Sequence, residues 1–445
     1  MKKFIDTLKN IWKIEELRQK ILVTLTLLLV YRFGTHIVLP GLDPEVLESL
    51  KGQATGLLGL FDQFAGGAFS QASILALGIM PYISASIFMQ LVTILVPQFQ
   101  KIQKEGESGR KKINQWTRYL TVIVTIFQAA AYISYLNSPA YKAALIPAFQ
   151  PFFVVSTIII LTAGTLFVMW LGEKITDKGL GNGTSLIIMV GIIASLPNSL
   201  AQEFAAKNTK GGGGVLIFII EIAFFIAIVM ALIVLVQGVR KISINYAKQI
   251  VGNRQFGGVR QFLPVKVNSA GVMPIIFAQA IIFIPSIFAR FDTTGNFMKI
   301  LNDHSNPWYM LMYFLLVVAF TYLYTSIIFN PKQIADDLKR NNGFIPGIKP
   351  GQPTADFIGS VMDKVTLPGA IFLGIAGILP GFAQKLGVTT GFSYFYGGTS
   401  LLIMVGVVLD TLQQIETHLL MRQYDGLMSS GRLHGRQAGV SSSPI

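Results

Sequence analysis

The chain has 445 residues, of which 52% are hydrophobic and 13% charged, and its formal net charge is +14. A water-soluble surface normally carries about a quarter charged residues, so an ordinary soluble globule is excluded and the apolar excess must face lipid. With no cysteine, disulfides, iron–sulfur clusters and thiol catalysis are excluded as well, while the compartment stays open.

Residues 1–20 are charged and amphipathic, with Phe4, Ile5, Leu8, Ile11 and Trp12 on the apolar side, and are expected to form a retained helix on the membrane surface. The run after them is too long for a signal-peptide core and has no small-residue cleavage site. Spanning hydrocarbon takes about 20 apolar residues as helix, whose backbone groups are satisfied within the segment. Ten such runs are predicted: 21–39, 73–96, 117–136, 152–171, 183–204, 215–237, 269–291, 308–329, 366–384 and 394–415. Counting Lys and Arg, the N-terminus and every second connection carry 28 against 7 in the alternate ones, with Arg32 inside a span. Short Lys- and Arg-rich loops stay in the cytoplasm, so both termini are expected there.

An internal repeat organises these runs. GTSLIIMVG at 183–191 and GTSLLIMVG at 398–406 share eight of nine positions and open the fifth and tenth spans. Gly78-Ile79-Met80-Pro81 and Gly271-Val272-Met273-Pro274 fall in the second and seventh, again five spans apart. Five is odd, so the second half must enter the membrane inverted. Inverted repeats place a functional path at their interface, near the midplane. The expected division is a helix at 1–20, a first half at 21–204, a second half at 205–421 and a cytoplasmic tail at 422–445.

Pro81 and Pro274 each remove a backbone donor, so the second and seventh spans are predicted to be kinked and displaceable. Residues 57–73, with Asp62 and Gly66-Gly67, are too short and interrupted to cross. They read as a segment re-entering from outside beside a cavity, or as an ordinary loop helix. Ile79 and Ile83 share one helical face, and Ile188 and Ile403 are equivalent in the nonamers. Such residues can converge into a constriction that gates by dewetting, although an isolated isoleucine usually faces lipid or core. Arg32 and His36 are expected to snorkel outward, and Glu221 and Asp410 to lie toward helix ends. Gln90, Gln128 and Asn268 read as interhelical hydrogen-bonding groups.

The connection 238–266 holds Arg240, Lys241, Lys248, Arg254, Arg260 and Lys266 without an acid, and alternates about Gly252-Asn253 as a β-hairpin would. Its charge suits RNA phosphates or the anionic headgroups of membrane lipids. The connection 330–365 mixes charges and suggests a protein partner. No phosphate loop or zinc motif is present, so neither an enzyme nor a cofactor or metal site is expected, and driving energy must come from elsewhere.

ALGIMPYISASI (76–87), KEGESGR (104–110), MWLGEKIT (169–176), GLGNGTS (179–185), NYAK (245–248), FNP (329–331), FIPGIKPG (344–351) and FYGGTSLLI (395–403) resemble the recurring blocks of the SecY family, along essentially the whole chain. The resemblance implies an all-α channel of ten helices in two inverted halves, moving unfolded polypeptides across the bacterial inner membrane and releasing membrane segments through a lateral gate. It implies a pore ring at Ile79, Ile83, Ile188, Ile276 and Ile403, with Thr184 at a ring position. The plug is implied at 57–72, including Leu60, Phe61, Phe64, Gly66 and Gly67. Gate positions are implied at Pro81, Ser84, Gln90, Gln128, Asn268 and Pro274. Arg254, Arg260, Lys339, Arg340 and Lys349 are implied to dock the ribosome or the SecA ATPase, with SecE and SecG as membrane partners and signal sequences and nascent chains as cargo. Lys349 stands where that family commonly has arginine, and lysine cannot reproduce a bidentate guanidinium contact. The residues alone also admit an ion-coupled secondary transporter, which uses inverted repeats, or a membrane scaffold.

Overall fold

A computed structural model of the chain describes residues 14–49, 57–138, 141, 144–146, 150–208, 214–246, 249–251, 254–256, 260–288 and 306–429. The first half contains α1 (Glu15–Gly34), α2 (Leu57–Phe64), α3 (Met80–Leu95), α4 (Glu107–Leu136), α5 (Gln150–Lys178) and α6 (Gly183–Asn208). The second half contains α7 (Gly214–Gln237), α8 (Met273–Phe288), α9 (Pro307–Ile328), α10 (Gln352–Lys385) and α11 (Gly398–Ser429). The expected surface helix lies mostly, and the expected tail partly, outside the described residues.

Seven helices among the described residues are long and apolar enough to cross a membrane, or eight if the bent pair 80–93 and 97–103 is one span. Two further expected spans fall short for visible reasons. α1 carries Glu15, Glu16, Arg18, Lys20 and Arg32, and α8 is described over only 16 residues. α7 is the least buried of the seven, and Leu216, Ile220, Met230 and Val234 stand exposed along it. In water such a surface would drive aggregation; in lipid it is the solvated face.

Packing is uneven around the molecule. α3 packs chiefly on α4, and α8 on α9, so each stays with its own half. The halves meet mainly through α6, which packs against α7, α11 and the short turn at Thr390–Ser393.

Strand β1 (Val239–Tyr246) pairs antiparallel with β4 (Arg260–Lys266), from Val239 opposite Lys266 to Asn245 opposite Arg260. Strands β2 (Gln249–Val251) and β3 (Arg254–Phe256) pair with each other. Pro264 is tolerated in β4 because β4 is an edge strand. On the other side of β1, β5 (Gly343–Phe344) pairs with Asn245 and Tyr246. The two long loops therefore form one module around Ile242, Ile244, Val265, Leu338, Ile345, Ile358 and Met362.

Candidate functional site

The duplicated residues set four helix starts. α3 begins at Met80 and α8 at Met273, so Pro81 and Pro274 are the second residue of their helices rather than kinks inside them. Proline loses nothing there, because the first N–H groups of a helix have no intrahelical partner. Gly78 and Gly271 precede them with φ of +52° and +63°, a left-handed turn open to glycine. The expected kink is thus a break, and the second span is helical only from Met80 onward.

The nonamers begin α6 and α11 in the same manner. A Cβ on Gly183 would fall 2.0 Å from the Gly172 carbonyl oxygen, and one on Gly398 would fall 3.0 Å from Gly377 Cα. These approaches seat Ile188 and Ile403, both buried, in a continuous apolar core that also holds Ile79, with Ile83 partly buried against it. Ile276 is half-buried outside that core, and its neighbour Ile275 is buried within it. Thr184 is half-buried at the head of α6.

Residues 57–72 join this core through Phe64, while Ala65, Ala68, Phe69 and Ala72 belong to a second apolar cluster. α2 ends in a Schellman arrangement: Gly66 N–H donates to the Gln63 carbonyl at 3.1 Å and Gly67 N–H to that of Asp62 at 2.8 Å, with Gly66 at φ +66°. Phe64 is buried, while Leu60 and Phe61 are described only as backbone within α2. Burial pushes the Asp62 carboxyl up from its ordinary pKa, and hydrogen bonds from Ser70, including its N–H at 2.7 Å, oppose this. Three side chains from other helices bind the segment. Arg32 Nη1 donates to the Gly66 carbonyl at 2.8 Å, Tyr132 Oη to that of Phe69 at 2.7 Å, and Ser400 Oγ to Gln63 Oε1 at 3.0 Å. Arg32 is therefore turned inward and does not snorkel; the Gly66 carbonyl and Thr35 Oγ1 at 3.4 Å satisfy it locally. His36 is exposed, as snorkelling requires.

The polar residues of α3 and its surroundings do not bond between helices as expected. Ser84 Oγ donates to the Met80 carbonyl of its own helix at 3.1 Å. Gln90 Oε1 and Asn268 Oδ1 are buried without a partner among the described residues, and Gln128 is half-buried. An unmet buried acceptor costs about 1–3 kcal/mol, which disfavours this packing relative to one admitting a donor. Arg254 lies in β3 and Arg260 in β4, while Lys339, Arg340 and Lys349 are exposed.

One cluster escaped the sequence reading. Lys207 Nζ lies 3.4 Å from Glu203 Oε1 and 2.8 Å from Glu221 Oε1, and donates to the Gly387 carbonyl at 2.9 Å. Glu203 Oε2 accepts from the Thr389 N–H at 2.8 Å and from its hydroxyl. Tyr396 Oη donates to the Glu221 carbonyl at 2.8 Å. All three ionisable groups are buried, where α6 meets α7 and residues 386–389. The four-residue spacing of Glu203 and Lys207 was the available signal. Asp410, by contrast, is exposed.

The SecY family model matches residues 73–412. A protein translocase subunit SecY of Streptomyces galbus is 41% identical over 431 residues, covering 93% of this chain and 97% of that one. The chain belongs to the SecY family. It is a multi-pass membrane protein and a subunit of a protein-conducting channel, the function its relatives carry, and the ion-coupled transporter has no support among them. Solved structures agree on the fold. A protein-conducting channel superposes with a TM-score of 0.61 at 17% identity, covering 95% of each chain. Sec61 of the canine ribosome–channel complex gives 0.57 at 16% identity, also covering 95% of each chain.

Proposed function

We propose that unfolded presecretory polypeptides cross the bacterial plasma membrane between the two inverted halves of this chain, and that signal sequences and nascent membrane segments leave sideways between α3 and α8. The uneven packing carries this reading. The halves meet through α6, α7 and α11, whereas α3 and α8 each pack chiefly within their own half, so separation at that side leaves the main contacts between the halves in place. With α2 set aside, α1 to α11 supply ten helices for the proposed ten spans, and α3 serves as a short one bent at its far end. Both termini are cytoplasmic by the Lys and Arg asymmetry.

In this reading Ile79, Ile83, Ile188, Ile276 and Ile403 form the ring, and residues 57–72 are the plug that covers it at rest. An apolar constriction sheds water and ions while yielding to a flexible chain. Pro81 and Pro274 start the gate helices, and the unmet acceptors of Gln90 and Asn268 receive donors from water or an entering segment. The chain itself supplies no energy. The module of β1–β5, with Arg254, Arg260, Lys339, Arg340 and Lys349, docks the ribosome or the SecA motor, and SecE and SecG accompany the chain in the membrane. The canine relative seen with a ribosome supports the first of these partners.

The test uses the cysteine-free background. A cysteine introduced as Ile83→Cys should crosslink to a secretory substrate stalled in transit, and one introduced at lipid-facing Met230 should not. Absence of a substrate adduct at position 83, with translocation intact, would overturn the path.

A further inference from the structure

We infer that Arg32 is a positioning residue that latches the plug to the first half of the channel. The inference rests on reading residues 57–72 as the plug. Arg32 lies in the last turn of α1, and its guanidinium reaches across to the second carbonyl beyond α2, that of Gly66, at 2.8 Å. That carbonyl sits at the negative end of the α2 dipole, where a cation is favoured. Thr35, buried, fixes the arm: its hydroxyl donates to the Arg32 carbonyl at 2.7 Å and lies 3.4 Å from Nη1.

Among the described residues no carboxylate pairs with Arg32. Its charge is therefore directed at the segment rather than neutralised within its own helix. Gly66 is held from behind by Gly191, whose Cα lies 2.9 Å from where a Gly66 Cβ would stand. Tyr132 adds a second bond, to the Phe69 carbonyl. Arg32, Tyr132 and Gly191 all belong to the first half. Among the described side-chain bonds to this segment, Ser400 to Gln63 comes from the second. When the halves part, that bond is the one stretched, and the Arg32 latch keeps the C-terminal end of the segment with α1, ready to reseat.

The channel, purified with its membrane partners and reconstituted in vesicles, allows the test through resting ion efflux and motor-driven translocation. Arg32→Met should raise efflux several-fold while translocation persists, and Arg32→Lys, which keeps the charge, should restore part of the seal. Deleting residues 60–67, which removes the Gly66 carbonyl, should also leak, and adding Arg32→Met to that deletion should add nothing, because the latch then has nothing to hold. Efflux that rises equally with and without the segment would assign Arg32 a general structural role and overturn the latch. Tight Arg32→Met vesicles beside a leaky deletion would overturn the latch and leave the plug standing. A tight deletion would overturn the plug reading itself.

Discussion

The two nonamers are almost the same sequence in two different surroundings. In the first half the closing glycine, Gly191, faces residues 57–72: a Cβ there would come 2.5 Å from the Phe64 carbonyl oxygen and 3.3 Å from Gly66 N. In the second half a Cβ on its counterpart Gly406 would meet nothing within 4 Å among the described residues. The opening glycines, Gly183 and Gly398, are crowded in both halves. The repeat therefore accounts for how the helices begin and pack, while the difference at the closing glycines comes from the approach of residues 57–72 to Gly191. The far helix ends differ too. Glu203 of α6 is buried in an ionic cluster, whereas the equivalent residue of α11, His418, is half-buried with Lys20 Nζ 3.4 Å away.

The comparison can be broken by substitution, beginning with the ionic cluster. Lys207→Met leaves two buried carboxylates without their cation and should destabilise the channel by about 3–5 kcal/mol. Thermal unfolding in detergent would register this, and His418→Ala should stay within about 0.5 kcal/mol. An unchanged midpoint for Lys207→Met would mean that the cluster is solvated and contributes little.

Gly191→Ala comes next, with an overpacking loss of about 1–3 kcal/mol and a raised resting ion efflux. Gly406→Ala should instead gain up to about 1 kcal/mol from helix propensity, with efflux unchanged. Equal responses at the two glycines would remove the asymmetry. Ile188→Asn and Ile403→Asn test the symmetric part, since each places an amide in the same apolar core at a cost of about 1–3 kcal/mol. Both should leak ions to a similar extent in a vesicle efflux assay; a leak from one alone would show that the core is not shared. The smallest effect is expected at the surface. Charge reversal at Lys339 and Arg340 should weaken ribosome binding and flatten its salt dependence, by a slope of about 0.7–0.9 per lost phosphate contact. A co-sedimentation titration across salt concentrations measures it.

Much of this was legible beforehand because periodicity, charge asymmetry and repetition are properties of the chain itself. The lipid-soluble runs, the repeat and the blocks shared with the SecY family are all written in consecutive residues. The kinks expected at Pro81 and Pro274 failed for a local reason: proline at the second helical position breaks nothing, and only the positive φ of Gly78 and Gly271 placed it there. Snorkelling of Arg32 failed for a distant one, since its acceptor is 34 residues away in sequence. The joining of the two long loops through β1 and β5 was equally invisible, because two residues of strand leave no period to read.

By itself the sequence determined that this is a multi-pass membrane protein with a duplicated nonamer, related to protein-conducting channels, because hydrophobic length and duplication need no folding to be seen. Tertiary structure alone decided which charges meet across helices, which glycine is crowded, and which bonds hold residues 57–72. Those depend on the approach of backbones far apart in the chain, for which residue identity sets a capacity and packing sets the partner.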